Sequence, residues 1–161
     1  MTIRVLFVCS GNICRSPTAE AVLHQRIADR GLDIVADSAG FESYHVGDPP
    51  DPRAILRGRL RGYDLSGQQA RQVVPADFDR FDHVIGMGHN HVAGLHRLAQ
   101  RSRRDDAAGK IALFLDATDQ YAGQDVPDPY YGDLRDFDRV LDLVELGIDA
   151  LIARWVADRR P

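Results

Sequence analysis

The chain has 161 residues, a net charge of −4, and 44% apolar and 27% charged residues. That is an ordinary globular composition, expected as one domain over 1–161, and its acidity argues against a nucleic-acid partner, for which a basic domain is expected. No apolar stretch is long enough to span a bilayer, and the N-terminal apolar run is too short for a signal peptide, so a cytoplasmic protein without membrane attachment is expected.

The chain opens with an apolar run, Ile3–Val8, as expected of a parallel strand covered on both faces. Pro17–Arg30 reads as a helix with Pro in its first turn and Gly31 as its stop. Ile34–Ala39 is a second strand. A Gly/Pro-rich loop from Gly40 to Pro52 leads into a helix from Arg53 to about Leu60, closed by Gly62. Asp82–Met87 is a third strand, His89–Gln100 a helix and Ile111–Leu115 a fourth strand, followed by a long loop from Asp116 to Asp133. The last helix carries Phe137, Val140, Leu141, Val144, Ile148, Leu151, Ile152 and Trp155 on one stripe. Strands alternating with helices predict an α/β sandwich around a short parallel sheet with right-handed crossovers. Ligands bind such sheets beyond the carboxyl ends of the strands.

The first strand runs directly into Cys9-Ser10-Gly11-Asn12-Ile13-Cys14-Arg15-Ser16-Pro17. Five residues between Cys9 and Arg15 let the chain curl so that both face one point. Successive backbone N–H groups of such a loop line a nest for a phosphate-sized anion, and the following helix aims its positive end the same way. A thiolate is the attacking form of cysteine, and a helix N-terminus and an adjacent cation both favour it. A guanidinium at Arg15 can grip two phosphoryl oxygens at once. Attack by Cys9 gives a cysteinyl-phosphate, dividing one hydrolysis into two transfers. Ser16 is positioned to hydrogen-bond the sulfur, Asn12 tolerates left-handed backbone and holds the loop, and Gly11 permits tight curvature. A general acid is still needed. In the long loop Asp128 is flanked by Pro127 and Pro129 and followed by Tyr130 and Tyr131, a fixed carboxylate beside two rings that can line a pocket.

Cys9–Pro17 (CSGNICRSP) together with Asp128–Asp133 (DPYYGD) resembles the low-molecular-weight protein tyrosine phosphatases. The likeness extends through Ala19-Glu20, Ser38-Ala39-Gly40, Asp51-Pro52-Arg53-Ala54 and Ala70-Arg71-Gln72. It implies a three-layer α/β sandwich with a four-stranded parallel sheet of order 2-1-3-4, no metal and no cofactor. It also implies hydrolysis of phosphotyrosine in protein substrates through a cysteinyl-phosphate. Matched residue by residue, Cys9 is the nucleophile, Arg15 the phosphate and transition-state binder and Asp128 the acid. Ser10 to Ser16 form the phosphate-binding loop, Asn12 and Ser16 ordering it. Ile13, Tyr44, Tyr130 and Tyr131 line the substrate pocket. Cys14 matches the family's second cysteine, able to form a reversible disulfide with the nucleophile, and Tyr130 and Tyr131 match aromatics that a partner tyrosine kinase can phosphorylate. Three positions depart from the family pattern: Tyr44 in place of a rim tryptophan, Gln68 in place of a histidine behind the loop asparagine, and Gly88 in place of an aspartate.

Arsenate reductases share the Cys-x5-Arg loop but use further cysteines, and this chain has none after Cys14. Phosphoarginine phosphatases carry a threonine in the loop where Ile13 stands; an apolar Ile13 favours a flat aryl ring over a guanidino group. A non-catalytic phosphate-binding module fits poorly with nucleophile, arginine and acid all present. His89, His91 and His96 are expected as a solvated surface cluster rather than a metal site, and Arg101–Asp106 as a solvated loop.

Overall fold

The computed structural model describes residues 1–159. Four parallel strands form one sheet in the order β2-β1-β3-β4: β1 Ile3–Cys9, β2 Ile34–Gly40, β3 His83–Gly86 and β4 Ile111–Leu113. The register pairs Cys9 with Gly40 and Val8 with Gly86, which brings the carboxyl ends of the central strands level beneath the phosphate-loop motif.

Side chains alternate across a strand, and β1 uses both of its faces. Val5, Phe7 and Cys9 join one core with α1 (Arg15–Arg30), α2 (Pro52–Leu60) and α5 (Leu134–Asp158). Leu6 and Val8 join a second with α3 (Asp77–Arg80) and α4 (His89–Arg101). Both cores are closed, because Val5, Leu6, Phe7 and Val8 are each 0% exposed; full burial of such a side chain contributes roughly 1.5–3 kcal/mol. The predicted α5 stripe from Phe137 to Trp155 is buried along its length. Asp133 and Asp136 exchange hydrogen bonds at the start of α5 in a capping box, a sharp N-terminal signal that also ends the preceding loop.

Boundaries differ from the sequence-based expectation where local hydrogen bonds override the apolar run. The first helix begins at Arg15, not Pro17. Pro17 thus occupies its third position, where a missing N–H costs nothing. The fourth strand ends at Leu113 because Phe114–Ala117 tightens into a 3-10 turn. The short α3, held by the buried Asp77 carboxylate bonded to Val74 N–H, Arg71 and Arg80, has no apolar period to reveal it. The Arg101–Asp106 stretch is not simply solvated: Arg101 ends α4, Asp105 opens a 3-10 turn, and Arg104 makes a two-nitrogen pair with Asp79.

Candidate active site

Cys9 ends the Val5–Phe7–Cys9 file of β1, and the loop from Ser10 to Cys14 carries the chain onto α1. Left-handed backbone occurs at Asn12 (φ 57°), as expected of asparagine. Gly11 is needed for a different reason than curvature: a Cβ there would stand 2.9 Å from the His45 ring. Gly40, paired with Cys9 at the end of β2, is more constrained still. A Cβ at Gly40 would lie 2.6 Å from the Ser10 carbonyl oxygen and 3.0 Å from the Asn12 nitrogen, so the loop seats itself on bare backbone. At the other end Cys14 provides no side-chain cap for α1, leaving the helix's first N–H groups for an anion.

Behind the loop runs a directed hydrogen-bond chain. Asn12 Nδ2 donates to Ser16 Oγ (2.8 Å) and to Ser38 Oγ (2.9 Å). Ser38 Oγ donates in turn to Glu20 Oε1 at 2.7 Å. Ser16, already an acceptor from Asn12, has its O–H free for Cys9 Sγ at 3.0 Å, closer than the Ala39 carbonyl at 3.4 Å. Asn12 Oδ1 in turn accepts from Arg71 N–H at 3.1 Å. The four side chains Asn12, Ser16, Ser38 and Glu20 are buried. Burial pushes the Glu20 carboxyl up, against the bond from Ser38, which lowers it. A polar group in so dry a setting is costly unless paired, so the chain fixes both the geometry and the direction in which protons point.

Over Cys9 opens a pocket of about 330 Å³. Its floor is the loop; its walls are Ile13, Tyr44, His45, Asp128, Tyr130 and Tyr131. Arg15 is buried, donates from Nη1 to the Val126 carbonyl (3.2 Å), and has Nη2 3.6 Å from Asp128 Oδ2. The other Asp128 oxygen accepts from Tyr130 N–H. The segment bearing Asp128 is tied down in three places. Val126 N–H donates to the Met87 carbonyl. Asp125 Oδ1 accepts from the backbone N–H of His89 (2.8 Å) and meets its ring Nδ1 at 2.6 Å. Arg53, paired with Asp51, donates to the carbonyls of Tyr130 (2.9 Å) and Gly132 (3.3 Å) and lies over the Phe137 ring.

The whole chain agrees with this local picture. Residues 4–160 match the family model described as low molecular weight phosphotyrosine protein phosphatase. The chain belongs to that family. A low molecular weight protein-tyrosine-phosphatase of Streptomyces coelicolor is 44% identical over 95% of this chain and 93% of its own length. The crystal structure of YfkJ from Bacillus subtilis superposes with a TM-score of 0.90 at 37% identity, covering 99% of this chain and 98% of the other. A Drosophila arginine phosphatase shares the fold at 28% identity and a TM-score of 0.88, over 95% and 98% of the two chains.

Within the phosphatase, every residue singled out from the loop and from Asp128–Tyr131 lines the one pocket, except Asn12 and Ser16, which stand behind it. Tyr44 is 70% exposed at the rim, edge-on to His45. Gln68 supports the chain behind Asn12 only at its margin: its Nε2 donates to the Pro17 carbonyl, and its Oε1 is 3.5 Å from Ser38 Oγ. Glu20 accepts from Ser38, and Arg71 N–H meets Asn12 Oδ1 directly. Beside Gly88, which lacks a carboxylate of its own, lies that of Asp125: a Cβ at Gly88 would stand 3.2 Å from the Asp125 carboxyl carbon. Burial alone would raise the Asp125 carboxyl, and the bonds from His89 outweigh that and hold it low. Cys9 and Cys14 are both free and buried, and burial pushes the Cys14 thiol far up.

The three histidines do not form a surface cluster. His89 is exposed on Asp125, but His91 is 1% exposed, with Nε2 2.9 Å from Ser10 Oγ. Helix α4 turns residue 91 inward against Phe41, its ring stacked 6.3 Å away, a direction that a sequence spacing alone leaves open. The contacts of His45, Arg53, Asp125 and Glu20 are likewise not legible from spacing, although Asp51-Pro52 before Arg53 is a legible helix cap.

Proposed function

We propose that the phosphatase hydrolyses phosphotyrosine in proteins by double displacement, with Cys9 as nucleophile, Arg15 as phosphoryl binder and Asp128 as general acid and base. In the first step Cys9 thiolate attacks phosphorus, the bond to the tyrosyl oxygen breaks, and Asp128 gives that oxygen its proton. In the second, water attacks the cysteinyl-phosphate, Asp128 takes a proton from it, and the sulfur leaves as thiolate, stabilised by the Ser16 O–H. Arg15 and the loop N–H groups balance charge on the equatorial oxygens in both steps. The observation that carries the reading is Cys9 Sγ 3.0 Å from the Ser16 hydroxyl behind it, in the same pocket as Arg15 and Asp128.

An aryl substrate is favoured over phosphoarginine by the wall of Ile13, Tyr44, Tyr130 and Tyr131, which suits a flat apolar ring. Cys14 is the resolving thiol: when a peroxide oxidises Cys9 to sulfenic acid, Cys14 condenses with it to a disulfide and water leaves. Tyr131, 93% exposed, and Tyr130, 38% exposed, are accessible to a tyrosine kinase, which would place a like-charged phosphate at the pocket mouth. A nucleophile that must stay reduced fits a cytoplasmic setting, and no helix among the described residues is long and apolar enough to cross a membrane. The deciding experiment compares phosphotyrosine, phosphoarginine and arsenate side by side with the purified protein. Turnover of phosphotyrosine well above the other two is expected; preference for either rival overturns the assignment.

A further inference from the structure

Outside this mechanism, a buried histidine touches the phosphate loop. His91 sits in the first turn of α4, and its Cβ lies 3.1 Å from where a Cβ on Gly86 would be, so the ring is wedged between β3 and Phe41. Nε2 meets Ser10 Oγ at 2.9 Å, while Nδ1 is the one buried side-chain nitrogen or oxygen among the described residues with no hydrogen-bond partner. That orphan decides the tautomer. A buried N–H without an acceptor costs more than a lone pair without a donor, so the proton belongs on Nε2. Burial, reinforced by the nearby Arg15 charge, pushes the ring down to about 4, which keeps it neutral when the enzyme works; an imidazolium would bury a second, unpaired N–H.

We propose that His91 is a positioning residue for phosphate recognition: its Nε2–H donates to Ser10 Oγ, which leaves the Ser10 O–H free to donate to a phosphoryl oxygen in the pocket. Ser10 lines that pocket. With one lone pair occupied from behind, its hydroxyl is polarised and has its proton turned forward, adding a side-chain donor to the backbone nest. The role rests on the phosphatase reading of the loop, and it ties phosphate affinity to a helix that contributes nothing else to the pocket floor.

Calorimetric titration with inorganic phosphate tests the pair without relying on turnover. Ser10→Ala and His91→Phe should each weaken phosphate binding by roughly tenfold, the loss of one hydrogen bond to an anion. The double variant should be no weaker than either single one. His91→Gln, whose amide N–H can replace Nε2–H, should recover most of the affinity. With phosphotyrosine as substrate the losses should appear mainly in KM rather than kcat. Unchanged affinity in Ser10→Ala, or losses that multiply in the double variant, would overturn the proposal. If His91→Phe does not fold, Ser10→Ala with and without His91→Gln carries the same comparison. Absence of phosphotyrosine hydrolysis by the unaltered protein would instead refute the phosphatase reading, whatever the calorimetry gives.

Discussion

The two halves of the active site are built on opposite principles. The phosphate loop from Cys9 to Ser16 is buried except at Ser10 and Gly11, seated on Gly40 without an intervening side chain, and hydrogen-bonded from behind through Asn12, Ser38 and Glu20. The segment bearing Asp128, the acid we propose, is open: the Asp128 side chain is 48% exposed against 9% for Arg15, and Tyr131 is nearly bare. Its ties to the rest of the fold run mainly through Val126, Asp125 and Arg53. The contrast follows from what each half must do. Charge on the transferring phosphoryl group is best stabilised by dipoles that need no reorganisation, whereas an acid that must reach oxygen, and a mouth that must admit a protein segment, need solvent access.

The comparison can be broken at several points. Cys9→Ser should remove turnover by at least about four orders of magnitude while phosphate or vanadate still binds; retained hydrolysis would mean that the rigid half does not contain the nucleophile. Asp128→Ala should slow aryl phosphates with poor leaving groups by roughly 10²–10³, within the range for general acids, and those with good leaving groups much less. Equal losses in that leaving-group series would remove Asp128 as acid. Asn12→Ala leaves Ser16 and Ser38 without their donor and puts alanine at a positive φ. It should cost about 1–3 kcal/mol of stability in denaturant melts and slow turnover with little change in the acid dependence.

A fourth test uses pH. The His91 ring has an ordinary value of 6.5 when exposed and is pushed down by burial to about 4 in the fold. Between these values the unfolded chain binds a proton that the folded chain does not. The His91 contribution is therefore whole above pH 6.5 and is lost as pH falls towards 4, by about 3 kcal/mol at most. His91→Phe should flatten that part of the stability profile; an unchanged slope would mean that the ring is not desolvated as described. The smallest effect is expected from Asp125→Asn, which weakens the charge at the α4 N-terminus by about 0.5–1 kcal/mol. It should slow the acid-dependent step several-fold less than Asp128→Ala, in the same leaving-group series.

Much of this architecture is legible along the chain. The unbroken apolar run of β1 announces a strand buried on both faces, and Cys9 to Pro17 announces an anion site at its end. The Phe137–Trp155 stripe announces the helix that closes the larger core. What could not be read are partnerships between distant residues. Ser10 and His91 are 81 positions apart, and spacing on α4 does not say which of its histidines turns inward. Asp125 occupying the space left by Gly88 is a relation between two loops, so the substitution reads as a plain loss until the chain is folded. The short α3 was invisible for another reason: one buried carboxylate holds it, with no apolar period behind it.

The sequence by itself determined the alternation of strands and helices, the anion-site motif at the end of β1 and the family, because those depend on residue type at short spacing, where backbone geometry leaves few alternatives. Tertiary structure alone decided which groups stand against the Ser16 and Ser10 hydroxyls, what lies beside Gln68 and Gly88, and how exposed each half of the site is. Those properties arise from burial and from contacts closed across the sheet, where desolvation makes each hydrogen bond obligatory and therefore directional.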